Sequence, residues 1–160
     1  MSEVTIPNFG ELLAEHLGEL PAEALPVLLA NLERGSAERY RQWASELPDF
    51  SDDILASADR EDDIAYRVEQ LFPISDDNQE IVEAIAPQAK KTYLSVFDGL
   101  TAIQQITIQA NAERQGAAAW RGLVEAYPQF SSELEQLALI EETNADQLDS
   151  LLSQVNHQAD

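Results

Sequence analysis

ANLERGSAERYRQWASELPDFSDDILASADREDDIAYRVEQLF, residues 30–72, is followed in the same chain by ANAERQGAAAWRGLVEAYPQFSSELEQLALIEETNADQLDSLL, residues 110–152. The two stretches align without a gap at a constant offset of 80 (110 − 30). Identity holds at Ala30/Ala110, Asn31/Asn111, Glu33/Glu113, Arg34/Arg114, Ala37/Ala117, Arg41/Arg121, Pro48/Pro128, Phe50/Phe130, Ser51/Ser131, Ala58/Ala138, Glu61/Glu141, Ala65/Ala145 and Leu71/Leu151. Tyr40 pairs with Trp120 as an aromatic exchange. A pattern written twice at a fixed period decides the architecture before any local reading does. Each copy reads as helix, short turn, helix. Two such hairpins predict an all-α fold, a four-helix bundle.

Working outward from the repeat, the first helix of copy one is expected from about Pro26 to Leu47. Its seam is Leu29, Glu33, Ser36, Tyr40, Trp43 and Leu47, spaced 4-3-4-3-4, the period of a packed helix seam. Pro48-Asp49-Phe50 makes the turn. Ser51 is the expected cap of the next helix, with Asp52 and Asp53 in the first turn, where the helix dipole favours acids. That helix is expected to run to about Phe72, before Pro73, with Ile54, Ala58, Glu61, Ala65, Val68 and Phe72 facing inward. In copy two the helix is expected from near Gln88 to Tyr127, interrupted or bent at Gly99. Ile106, Gln109, Glu113, Gly116, Trp120, Leu123 and Tyr127 share one face. Pro128-Gln129-Phe130 repeats the turn, and Ser131 is the expected cap of a helix reaching about Val155. Its seam is Leu134, Ala138, Glu141, Ala145, Leu148 and Leu152.

Outside the copies, FGELLAEHLGEL predicts a short N-terminal helix capped by Asn8 and ended by Pro21. Ser75 predicts the cap of a short crossover helix over 76–86, closed by Pro87. The whole chain of 160 residues is expected to form one domain, long enough to bury a core. Residues 26–72 form repeat one, 73–87 the crossover and 88–155 repeat two.

Charge and composition bound the partners. Thirty acids stand against nine Lys plus Arg, a formal net charge of −21. Direct binding to nucleic acid or to an anionic membrane is disfavoured. The surface is instead expected to serve solubility or to meet a basic protein partner, and a homodimer through a helix face is open. The absence of cysteine excludes thiolate metal sites and cysteine nucleophiles. MSEVTIPNFG has no basic, then apolar, leader pattern, and no apolar run reaches a membrane span, so a cytoplasmic location is expected. No glycine-rich phosphate loop, Ser-His-Asp set or zinc spacing is present.

One constellation carries chemistry. Glu33, Glu61, Glu113 and Glu141 each take an inward position on a different helix. Folding is expected to gather them at one level of the core. Buried carboxylates need compensation. Three routes are open: a divalent metal pair, protonation with shared hydrogen bonds, or counter-charge from Arg34, Arg41, Arg114 and Arg121.

On these residues the chain resembles the ferritin-like superfamily, which includes rubrerythrins and other di-iron carboxylate bundles. Its motif is one Glu on each of two helices and Glu-x-x-His on each of the other two. Glu33 and Glu113 stand at the single-glutamate positions, and Glu61 and Glu141 at the glutamates of Glu-x-x-His. Both histidines are replaced, by Ile64 in EDDI and by Asn144 in EETN. The two histidines of the chain, His16 and His157, lie outside the copies and are expected at the surface.

The resemblance implies a metal set of Glu33, Glu61, Glu113 and Glu141, with Asn144 able to add a carbonyl oxygen. The cofactor is then a divalent pair, iron or manganese, or none. The expected function is a ferritin-like protein with a degenerate four-carboxylate site and little or no redox catalysis. Two alternatives stand beside it: an active dinuclear metal oxidase or hydroxylase, and an acidic interaction protein that binds a basic partner.

Overall fold

The computed structural model describes residues 3–159, and these contain six α-helices, three short 3-10 turns and no strand. The protein is all-α. The helices are α1 (Phe9–Gly18), α2 (Leu25–Glu46), α3 (Ser51–Leu71), α4 (Asp76–Ser95), α5 (Ala102–Gly122) and α6 (Ser131–Gln158). No helix among the described residues is long and apolar enough to cross a membrane. The chain divides into two compact units.

The unit Asn8–Asp98 holds α1 to α4. Helices α2 and α3 form an antiparallel hairpin closed by a 3-10 turn at Pro48–Phe50. Helix α4 packs on α2, and α1 packs on α4. Asn8 caps α1 as the sequence suggests, its Oδ1 accepting the Glu11 N–H at 3.0 Å. Helix α2 buries Leu28, Ala30, Ala37, Tyr40 and Trp43, and α3 buries Ile54, Ala58, Ile64, Ala65 and Val68. Leu29 and Leu47, read as seam residues, are only half-buried.

An aromatic cluster joins α1, α2 and α4. Phe9 and Tyr93 have ring centroids 4.7 Å apart, Tyr93 and Phe97 5.8 Å, and Trp43 and Phe97 6.3 Å. The Arg39 guanidinium lies 4.7 Å from both the Tyr93 and Phe97 centroids, and Arg39 is only 8% exposed. A desolvated cation over aromatic faces is held by the ring quadrupoles, worth roughly 2 kcal/mol in such surroundings. Arg39 also donates to the Ser36 hydroxyl at 3.1 Å.

The second unit takes residues 99–159 together with residues 3–7 of the described chain. Helices α5 and α6 form its hairpin, closed by a 3-10 turn at Pro128–Phe130. Gln115 ties in the N-terminal segment by donating to the Pro7 carbonyl at 2.8 Å. Ile106, Ile108, Trp120, Leu134, Leu137, Ala138, Ala145, Leu148 and Leu151 are buried. Leu151 is buried where Leu152 was expected, and Leu152, Gly116, Leu123 and Tyr127 are half-buried.

Several boundaries differ from the sequence reading. The crossover helix does not close at Pro87, because α4 runs through it to Ser95. Pro87 and Glu83 are exposed, so the carbonyl freed by the missing proline N–H faces water. Val82, Ile85, Ala89 and Tyr93 meanwhile keep one buried stripe on both sides of it. Packing of that stripe overrides the local penalty.

The expected long helix beginning near Gln88 is two helices. The first of them ends at Ser95, and Gly99, in the connection that follows, adopts φ +74°, a conformation that side chains disfavour. Thr101 then opens α5 with a capping box, its hydroxyl accepting the Gln104 N–H while Gln104 reaches back to the Thr101 N–H. Helix α5 stops at Gly122, short of Tyr127, and α6 continues past Val155 to Gln158. Ser51 and Ser131 are first residues of their helices and make no cap bond, since each follows directly on a 3-10 turn.

Candidate carboxylate site

Each hairpin carries two of the four glutamates. In the first, Glu33 on α2 is half-buried and Glu61 on α3 is fully buried. They bring carboxylate oxygens within 4.8 Å of one another. Two oxygens that share one divalent ion, each roughly 2.0–2.6 Å from it, stand at most about 4–5 Å apart. The pair is therefore at a separation that a cation can bridge. Ile64, at the first missing histidine, is fully buried and supplies no ligand atom.

In the second hairpin Glu113 on α5 and Glu141 on α6 are both buried, and so is Asn144 one turn beyond Glu141. Gln109 Nε2 donates to Glu113 Oε1 at 2.8 Å. Trp120 Nε1 donates to Glu141 Oε1, also at 2.8 Å. Both bonds lower the cost of burying the carboxyl groups. Trp120 is thus more than the core aromatic that the sequence suggests. It is the donor that orients Glu141.

Gly116 completes this arrangement. A Cβ built on it would meet Glu141 Oε1 at 2.8 Å and Cδ at 3.0 Å. The glycine leaves room for the carboxyl group itself against the backbone of α5. The residue at the same offset in the first hairpin is Ser36, which has a Cβ. The two hairpins therefore differ at this position although their glutamates repeat.

The repeated arginines do not serve as counter-charges for these glutamates. Arg34 makes a two-oxygen contact with Glu69, its closest bond 2.8 Å, and Arg41 donates to Asp62. Arg114 donates to Asp149. Arg121 holds Glu135 at 2.8 and 2.9 Å and also bonds Glu142. All four reach for acids along the flank of their own hairpin because a guanidinium on a half-exposed stem keeps its hydration there. Hydrogen bonding to Arg121 holds the Glu135 and Glu142 carboxyls below their ordinary range. The same bonds raise Arg121, and the Glu69 bond raises Arg34. The flank pairs recur at the repeat offset: Arg34–Glu69 answers Arg114–Asp149, and Arg41–Asp62 answers Arg121–Glu142.

His16 is not the free surface residue expected. It is half-buried on α1, with Nε2 2.8 Å from the Thr92 hydroxyl of α4. His157 is exposed in the last turn of α6. At the two positions where the resembled family places imidazole, this chain buries Ile64 and Asn144. The donor set on offer is carboxylate and amide oxygen, which suits hard cations such as Mg²⁺, Ca²⁺ or Mn²⁺ better than a nitrogen-ligated iron pair. Sequence reasoning located the four glutamates by seam position. It had no means to find the Trp120–Glu141 bond, which joins residues 21 apart on different helices. Compared with known protein families, with curated proteins and with solved structures, the chain matches none.

Proposed function

We propose that this protein is a ferritin-like helical bundle arising from a duplicated hairpin, whose carboxylate site has lost its imidazole ligands and with them the family's redox chemistry. The site then serves to bind a hard divalent cation or to hold the core, in a binding or structural role. The observation that carries this reading is the burial of Ile64 and Asn144 where the resemblance calls for two histidines, next to glutamates that remain. Each hairpin keeps half of a carboxylate set, and the Glu61 and Glu141 positions repeat at the common offset.

Elemental mass spectrometry of the purified protein, without added metal or chelator, tests the proposal. The expected outcome is no stoichiometric iron and no oxygen consumption with reductant present. Two equivalents of iron accompanied by oxidase turnover would overturn it.

A second reading is favoured by the 4.8 Å limit on the Glu33–Glu61 oxygens. In it the same glutamates, with Asn144, hold a working iron or manganese pair. Glu61→Ala and Glu141→Ala would then abolish metal uptake, and unchanged metal content in both variants would remove this reading.

A further inference from the structure

The outer face of α3 combines two features that separately mean little. Leu55 is 40% exposed and Tyr66 58% exposed, and both stand among the few large apolar side chains the described residues leave in water. They are 11 residues apart (66 − 55). That is about 20° from three full helical turns and about 16 Å along the axis, so they lie in one row. Asp52 and Asp59 lie in or beside that row, and Asp63 is adjacent to it. The Asp59 side chain is 83% exposed and its nearest cation, Arg41, stands off at 3.8 Å. Asp62 also lies in the row, bound to Arg41 and 3.8 Å from Arg34, while Asp63 on the flank is bound to Arg67.

Two exposed apolar side chains three turns apart in one row, framed by carboxylates, can each meet an apolar position of an amphipathic helix laid alongside. A second copy of this chain is a poor occupant, because each copy carries −21 and like charges across an interface repel. A basic partner is drawn by the same field. We propose that the α3 outer face docks a basic amphipathic helix of a partner protein, with Leu55 and Tyr66 as apolar anchors and Asp52 and Asp59 as charge contacts. This goes beyond the carboxylate site and does not depend on it.

The probe is a synthetic amphipathic helix of leucine and lysine, titrated into the ¹⁵N-labelled full chain at low and at high salt. Backbone shift changes are expected to concentrate on the exposed positions of α3. Leu55→Ser with Tyr66→Ser should weaken binding tenfold or more, the loss expected when two apolar anchors are truncated. Both residues are exposed, so the variant should keep its helicity, which circular dichroism checks. Asp52→Asn with Asp59→Asn is the second variant and should reduce the salt sensitivity of binding. Shift changes spread evenly over the acidic surface, with affinity unchanged in the Leu55/Tyr66 variant, would overturn the proposal. So would a dimer of the free protein, seen by light scattering, that the same variant dissolves.

Discussion

Replacing Gly116 by alanine isolates the fit between α5 and the Glu141 carboxyl group. In an open helix interior the change should stabilise by up to about 1 kcal/mol, since glycine is the poorer helix former. Here the new methyl would stand 2.8 Å from Oε1, 3.0 Å from Cδ and 3.3 Å from Oε2 of Glu141. Ordinary contact begins near 3.4 Å, so the carboxyl group must retreat by roughly half an ångström. It is 1% exposed and tied by Oε1 to the Trp120 indole at 2.8 Å. Overpacking of this kind costs about 1–3 kcal/mol. Loss or lengthening of the indole bond adds about 1 kcal/mol. After the propensity gain, a net destabilisation of about 1–3 kcal/mol is expected. Urea unfolding followed by circular dichroism measures it, and Trp fluorescence should report the disturbed indole.

The control is Gly35→Ala in α2, whose Cβ meets only the Lys90 side chain, Cε at 3.3 Å. Lys90 reaches outward to Glu38 and can move aside, so this variant should gain up to about 1 kcal/mol. If Gly116→Ala is as stable as Gly35→Ala, the tight placement of Glu141 against α5 is wrong.

Pro87→Ala should stabilise the chain by about 1–3 kcal/mol, because it restores an N–H to the interior of α4 at an exposed position; a denaturant midpoint that does not rise would mean the helix is already distorted there. The Glu135 and Glu142 carboxyls are held below their ordinary range by Arg121. Their folded-state values lie below the unfolded ones, so the stabilisation is present above the ordinary carboxylate range and is lost as pH falls through the lowered values. Arg121→Gln should therefore melt lower than the parent at pH 7, and the two melting curves should converge at strongly acid pH. A gap that persists undiminished at pH 2 would assign the loss to packing of the arginine stem instead.

The hairpins were legible because their signals are redundant. Seam periodicity, paired prolines and paired phenylalanines all mark the same turns, and the Pro48–Phe50 and Pro128–Phe130 segments are 3-10 turns in the structure. The helix through Pro87 was not legible, since local chemistry argues for a stop and only the stripe from Val82 to Tyr93 argues for continuation. Gly99 was marked as a break or bend, but the Thr101–Gln104 capping box that settles the start of α5 went unread.

For the carboxylates, seam spacing found Glu61, Glu113 and Glu141 as buried residues. It placed Glu33 too deep, since that residue is half-buried. Counter-charge from the repeated arginines was one of three open routes, whereas their repetition reflects flank pairs with acids on the facing helix of each hairpin. Gly116 illustrates the limit. Its place on the seam face is legible in the sequence, but nothing there shows that the group lying against it is the Glu141 carboxyl.

The flank pairs have a consequence for what resemblance between the two copies means. Glu69 is answered by Asp149 and Asp62 by Glu142, so the acid has lost a methylene in one pair and gained one in the other. The arginine tolerates both changes because its long, multiply hinged stem takes up the difference in reach and still brings a guanidinium nitrogen to a carboxylate oxygen. At such positions the chain keeps the sign of a charge and lets the residue drift. Counting identities between the copies therefore understates their likeness most where an arginine sits opposite an acid.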